Sequence, residues 1–306
     1  MVSRSVRWLS WNAVIGRKGA ERAKYEREST LDCDRIATFA REYVAMSPLN
    51  LISEDWALDT GLAGLKMYDE PVFGFAAAQD ELLLGLPHIK EANLPMMMTP
   101  DMWLEGAKTV ISFLLPKSAQ VRRSNIGGSD PSLAWLHARI EGQFLIKALC
   151  QEIAALLQQG GYKAVIPSYD PRFKSTGLRY VEELGGSFTS KWSERHAAYA
   201  CGLGTFCLSK GVITEKGVAV RFGSIITDLA LTPTPPPGGQ GIYDNCTLCG
   251  ACVQRCPAGA ITLEGGKDHS KCAVYVDEMK KKYSPRYACG KCQVGVPCEG
   301  RIPARQ

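Results

Sequence analysis

Eight of the chain's 12 cysteines lie between residues 246 and 298, and the first four read Cys246-x2-Cys249-x2-Cys252-x3-Cys256-Pro257. An iron–sulfur cubane offers four irons at tetrahedral corners, so three cysteines two residues apart can wrap one loop around three of them. The fourth, after a longer step and before a proline that turns the chain, points toward a second cluster. Zinc sites usually take cysteines as two pairs, so a run of four argues for iron. The remaining ligands are at hand: the pair Cys289-x2-Cys292, then Cys298, and the isolated Cys272 upstream. We assign Cys246, Cys249, Cys252 and Cys298 to a first 4Fe-4S cluster, and Cys256, Cys272, Cys289 and Cys292 to a second. Such clusters pass single electrons, and crossed ligation brings the two together as a conducting path requires. A purely structural role is the alternative.

The other four cysteines, Cys33, Cys150, Cys201 and Cys207, are scattered through the first 245 residues. Crowding of thiols in metal spacing, instead of an even spread, reads as a reducing compartment and not as a disulfide framework. The N-terminus has no extended apolar run and no stretch of eighteen apolar residues exists, so a cytoplasmic protein without a membrane span is expected. The net charge of +5 is mild. Its clearest basic stretch, Lys280 to Lys282 with Arg286, reads as a solvated face, with docking of an acidic redox partner as the other reading. No Gly-x-Gly-x-x-Gly follows a strand and no Gly-x-x-x-x-Gly-Lys-Ser/Thr is present, so neither nicotinamide nor ATP is indicated.

What must position the cysteines and receive their electrons is the longer N-terminal part. Residues 31–46 and 133–157 carry apolar side chains at helical spacing; in the second, Leu133, Leu136, Ile140, Phe144, Leu149, Ile153 and Leu156 recur every three to five positions, and Gly160-Gly161 ends the pattern. Residues 109–115, 163–166 and 218–227 are short, β-branched and bounded by proline or glycine, as strands are. Helices and strands interleaved predict an α+β or α/β domain. The proline-rich run from Thr232 to Gln240 breaks both periods. The domain boundary is expected there, giving residues 1–235 and 236–306, the second part with too small a core to fold without metal.

Residues 193–228 run Ser193-Glu194-Arg195-His196 into Cys201-Gly202-Leu203-Gly204, then Ile213-Thr214, then a strand ending Thr227-Asp228, directly before the cysteines. This order resembles the family of epoxyqueuosine reductases and reductive dehalogenases, and Leu104 to Ser112 is similar to a glycine turn that enters a strand in that family. The lone Cys272 before an apolar helix fits the same layout. The resemblance implies a nitroreductase-like α+β domain that binds cobalamin, followed by a small two-cluster ferredoxin-like domain. Electrons would come from an external donor such as ferredoxin or flavodoxin, cross both clusters and reach cobalt, which reduces a substrate that the sequence does not identify. Glu194, Arg195, Gly202, Leu203, Gly204 and Thr214 would shape the cofactor pocket, with Glu194 and Arg195 paired to each other. Asp170, Tyr169, Arg221 and His196 are the candidates for the reacting face, the first two as proton donors.

Two departures from the family matter. Where it has a catalytic aspartate, this chain has Phe188 or Thr189. No helical extension of the kind that holds tRNA follows Cys298, so nucleic acid is not expected as a partner. The substrate is then a small molecule or a protein. A flavin in place of cobalamin, or an electron-transfer protein that serves a partner, are the competing readings. Cys201 and Cys207 are read as small buried residues, and Met96 to Met98 as an apolar loop.

Overall fold

A four-stranded antiparallel sheet organises the fold, in the order β1-β2-β6-β3. The computed structural model describes residues 31–235 and 241–305. Most of the proline-rich run's second half, residues 236–240, therefore lies outside the described residues, as does the N-terminal stretch before residue 31. The strands are β1 (Val72–Ala77), β2 (Thr109–Pro116), β3 (Ala164–Val165) and β6 (Val220–Thr227), and a separate hairpin joins β4 (Gly204–Phe206) to β5 (Val212–Thr214). The helices are α1 (Cys33–Met46), α2 (Glu81–Gly85), α3 (Pro100–Trp103), α4 (Ala119–Ser124), α5 (Leu133–Ile140), α6 (Gly142–Gln159), α7 (Glu194–Ala200), α8 (Ala251–Gln254) and α9 (His269–Tyr283). Mixed helix and sheet, with antiparallel pairing throughout the sheet, makes this an α+β fold.

Strand β2 is buried along its whole length because helices cover both faces of the sheet. Alternate side chains point to opposite faces. Val110, with Ile226 of β6, packs beside Trp192 and Ala197 of α7, while Leu114 meets Ala198 and Leu203. On the other face Phe113 lies over Gly223, against Cys150 of α6; a Cβ at Gly223 would collide with the Phe113 ring. Arg221, opposite Leu115 in the ladder, points to that same α6 face.

The long apolar stripe expected as one helix over 133–157 is two, broken at Glu141. The cause is Gly142, whose missing side chain lets the Tyr68 ring press against the backbone, and glycine is a poor helix former. Phe144 lies off the core face; it is 46% exposed and rests on Trp56 with ring centroids 5.8 Å apart. The strand expected over 218–227 begins at Val220, since the preceding residues bond elsewhere: Val218 N donates to Cys298 O at 2.8 Å and Ala219 N to Glu299 O at 3.3 Å. Of the three methionines, Met97 enters the core while Met96 stays 48% exposed.

From Cys33 onward the chain packs as one unit. The loop of residues 125–130 fastens the cysteine-rich part. Lys291 Nζ, fully buried, donates to Asn125 O at 3.0 Å and to Gly127 O at 2.6 Å, and Asn125 Nδ2 donates to Cys289 O at 3.0 Å. Tyr275 and Tyr283 of α9 donate to Ser129 O and Asp130 Oδ2. The basic stretch joins in: Lys282 pairs with Asp130, Lys280 lies over the Tyr287 ring and Arg286 pairs with Glu141 at 2.5 Å. These charges staple the chain to itself and are not simply a solvated face. Among the described residues no helix is long and apolar enough to cross a membrane.

Candidate electron-transfer and proton-donor site

Burial and mutual charge raise several of the C-terminal thiols. Burial first, and then the charges of Cys207, Cys246 and Cys249, push the Cys252 thiol up to about 11. Cys298 is pushed up to about 12 by burial and then by Cys207, Cys246, Cys252 and Cys249. Burial likewise raises Cys289, whose charged neighbours are Cys272 and Cys256. Cys292 rises to about 12 through burial and through Cys289, Cys272 and Cys207, against a lowering by Lys267. Cys207 thus acts on thiols of both expected ligand sets. Four mutually repelling thiolates in a buried place need a cation, and iron binding would release their protons.

Among the described residues no trio of His, Cys, Asp or Glu side chains converges on one metal ion. The thiols of the first foursome, Cys246, Cys249, Cys252 and Cys298, line a small hollow, partly open to solvent. Left-handed glycines shape the ligand loops: Gly250 follows Cys249 at φ 72°, and Gly290, at φ 70° between Cys289 and Cys292, lies flat on the Trp135 ring, where any Cβ would collide.

A polar chain leads from the second foursome to the sheet edge. Tyr287, two residues before Cys289, stacks under the Arg139 guanidinium at 5.0 Å and accepts from its Nη2 at 3.4 Å. Arg221 donates to Arg139 O at 3.4 Å and to Gln143 Oε1, and Gln143 Nε2 donates to the Tyr169 hydroxyl at 2.6 Å. Tyr169 lies in the turn Pro167–Tyr169, which packs on β6; β3 reaches only Ile226 and Thr227 and leaves the Arg221 end of that strand's edge uncovered. Burial is the main cause that pushes the Tyr169 phenol up to about 12. Burial also lowers the Arg221 guanidinium, helped by Arg139.

The family model for the 4Fe-4S binding domain matches residues 241–262. Over 221 residues the chain is 30% identical to the epoxyqueuosine reductase of Bacillus anthracis, an alignment that takes in 68% of this chain and 52% of that one. With the epoxyqueuosine reductase of Vibrio cholerae it shares 26% identity over 233 residues, 69% of this chain and 55% of that one. The chain is a relative of the epoxyqueuosine reductases. It spans about half the length of the curated relatives it matches. Among solved structures, the epoxyqueuosine reductase from Streptococcus thermophilus aligns at a TM-score of 0.43 with 19% identity, over 77% of this chain and 64% of that one. A catabolic reductive dehalogenase aligns at 0.49 with 18% identity, over 76% and 30%.

In this epoxyqueuosine reductase relative the four candidates for the reacting face do not stand together. Tyr169 and Arg221 are joined through Gln143. Asp170 is held apart by Arg172, whose Nε and Nη2 each donate to its carboxylate at 2.8 Å and hold it below the usual carboxylate range. The same guanidinium donates to Met102 O and Trp103 O, so Asp170 serves as an ionised anchor for a turn and has no proton to give. His196 shares a 2.8 Å hydrogen bond with Ser193 Oγ and packs on Phe206 of β4 at 4.9 Å. Burial, then the Arg195 charge, lowers it to about 4.

That value carries a testable consequence. The unfolded chain takes up a proton at His196 below about pH 6.5 while the folded chain does not, so this residue costs nothing above that pH. Its destabilising effect grows as pH falls toward 4, to about 3 kcal/mol at the acid limit. His196→Asn should flatten the decline in urea midpoint between pH 7 and pH 5; an unchanged slope would show that other groups carry it.

The six residues assigned to the cofactor pocket are mostly engaged within the chain. Glu194 accepts from Ser168 while Arg195 donates to Lys210 O, so the two are not paired with each other; consecutive helix positions do not face one another. Gly202, at φ 75°, has Pro235 O where a Cβ would stand, and Gly204 has Ile213 O. Leu203 is core, and Thr214 Oγ1 donates to Gly217 O at 2.9 Å. Glu194 keeps a buried Oε2 without a partner, while the two glycines leave no open cradle. At the position of the family's aspartate, Phe188 adopts a left-handed φ of 53° with its ring edge-on to His269, and the buried Thr189 Oγ1 has no partner. Two residues of the site escaped the sequence reading. Gln143 is a polar residue inside an apolar stripe. Lys117 follows a strand's apolar run, is fully buried and places Nζ 4.4 Å over the Trp135 ring. A charge directly behind Leu-Leu-Pro was the available signal.

Proposed function

We propose that this chain is an iron–sulfur reductase in which single electrons cross two 4Fe-4S clusters and reach an electrophile bound beside Tyr169 and Arg221. The observation that supports it most is the unbroken chain of contacts from the Cys289 loop through Arg139, Arg221 and Gln143 to a phenol whose own proton is uncommitted. The cysteines would hold the clusters as the two foursomes above, and Tyr169 would supply a proton as charge arrives.

The relatives' name points to the substrate class, an epoxide on a modified nucleoside. Reduction of an epoxide to an alkene consumes two electrons and two protons and releases water. Two one-electron carriers beside a proton donor match that stoichiometry. A tRNA-borne substrate is therefore part of the proposal, in place of the expectation that nucleic acid is not a partner. A cobalamin between clusters and substrate is the intermediary that the resemblance implies. It is proposed on that ground alone.

The test is anaerobic purification with iron, cobalt and absorption measurements, followed by incubation with epoxyqueuosine-containing tRNA and dithionite. About eight irons per chain, and conversion of the nucleoside, are the expected results. A flavin spectrum without cobalt would name the other cofactor, and full clusters with no conversion would leave an electron-transfer partner as the function.

A further inference from the structure

The hollow beside the first foursome is lined by that foursome, by Cys292 of the other one, and by one further thiol that belongs to neither. Cys207, in the loop between β4 and β5, faces it together with Cys246, Cys249, Cys252 and Cys298. It is 4% exposed and packs with Ile213, Val218 and Val296 in an apolar patch on which Cys246, Cys252 and Cys298 rest. Its thiol donates to Gly211 O at 3.4 Å and lies 3.2 Å from Ser209 Oγ, so it is held in place as a thiol. A cubane has four irons and one protein thiolate on each, which leaves this further thiol without a role in a complete cluster.

Resting on the reading that the first foursome holds a 4Fe-4S cluster, we propose that Cys207 is a reserve ligand for it, able to take over the iron of Cys298. Those two approach from the same wall. Cys298 is tied to it by the bond from Val218 N to its carbonyl, and Val218 also packs against Cys207. Cys249 is exposed, and Cys246 and Cys252 belong to the loop and helix of the ferredoxin-like run. In the exchange the bond from iron to Cys298 Sγ breaks and one to Cys207 Sγ forms. The proton leaving the Cys207 thiol goes to the departing thiolate, and the cluster gains and loses no electron. Such a device would keep the electron path intact when Cys298 is lost or oxidised.

Iron, acid-labile sulfide and electron paramagnetic resonance of the dithionite-reduced protein test this in four forms: wild type, Cys207→Ala, Cys298→Ala and the double variant. Wild type and Cys207→Ala should each hold about eight irons. Cys298→Ala should also stay near eight, with a changed resonance, and the double variant should fall to about four. A drop to about four in Cys298→Ala alone, or equal iron in that variant and the double, would overturn the proposal. Wild type that itself holds four irons or fewer would instead overturn the two-cluster reading. Should Cys298→Ala fail to fold, the decay of the wild-type and Cys207→Ala clusters under air decides. Several-fold faster loss without Cys207 is expected, and equal rates sink the idea.

Discussion

Tyr169→Phe is expected to slow turnover by about 10²–10⁴-fold, the range a positioned proton donor supplies, with iron content unchanged. The expectation follows from which partner gives a proton to which. Arg221 donates to Gln143 Oε1, and that fixes the amide so that Nε2 is the atom facing the phenol. The Tyr169 oxygen is therefore an acceptor in this contact, and its own hydrogen is free to point toward a bound substrate. Once it has left, the phenolate oxygen keeps the Gln143 hydrogen bond and the nearby Arg221 charge. With the phenol raised to about 12, the group stays protonated at any ordinary working pH. It can act as an acid but not as a base, and it should add no limb to the pH profile below about pH 11. Gln143→Leu should cost less, since it removes the orienting contact but not the proton. The measurement is single-turnover reduction with dithionite-reduced protein. Undiminished rates in Tyr169→Phe would place the proton source elsewhere.

The sequence and the structure agree where one physical rule acts alone. Thiol spacing is dictated by the cubane, so the 4Fe-4S run at 246–256 could be read from residue numbers, and β2 was legible because a strand buried along its length is nearly continuous in apolar residues. Agreement fails where a long-range contact overrides the local pattern. The stripe over 133–157 is helical at every residue but Glu141, and only the distant Tyr68 accounts for the glycine beside the break. Asp170 has the composition of a proton donor, yet Arg172 two residues on claims it. The glycines of the Gly-Leu-Gly turn looked like room for a cofactor, whereas Pro235 and Ile213 fill the space. In each case the missing information was the identity of the neighbour, which a single sequence does not carry.

Cys289→Ala should halve the iron, from about eight to about four per chain, and should also weaken the fold. The region it belongs to has little else to hold it: α9 buries only Met279 along its 15 residues. What order it has comes from polar staples to the 125–130 loop, and the bond from Asn125 to the Cys289 carbonyl is among them. Surface and half-buried bonds of this kind contribute about 1 kcal/mol each, far less than iron–thiolate ligation, which is coupled directly to folding. Removal of one ligand therefore removes the main term and leaves the staples to carry a segment they cannot order alone. The contrast with Cys298→Ala is the sharper part of the expectation. Cys298 has Cys207 on its own wall of the hollow, whereas the partners of Cys289 are Cys256, Cys272 and Cys292, each already assigned an iron. The second cluster should be lost where the first survives. Electrons from an external donor would then stop short of Tyr169, and turnover should vanish even though half the iron remains. Iron analysis and the urea midpoint of Cys289→Ala check both halves of the statement, and a variant that keeps about eight irons would show that the two foursomes are divided wrongly.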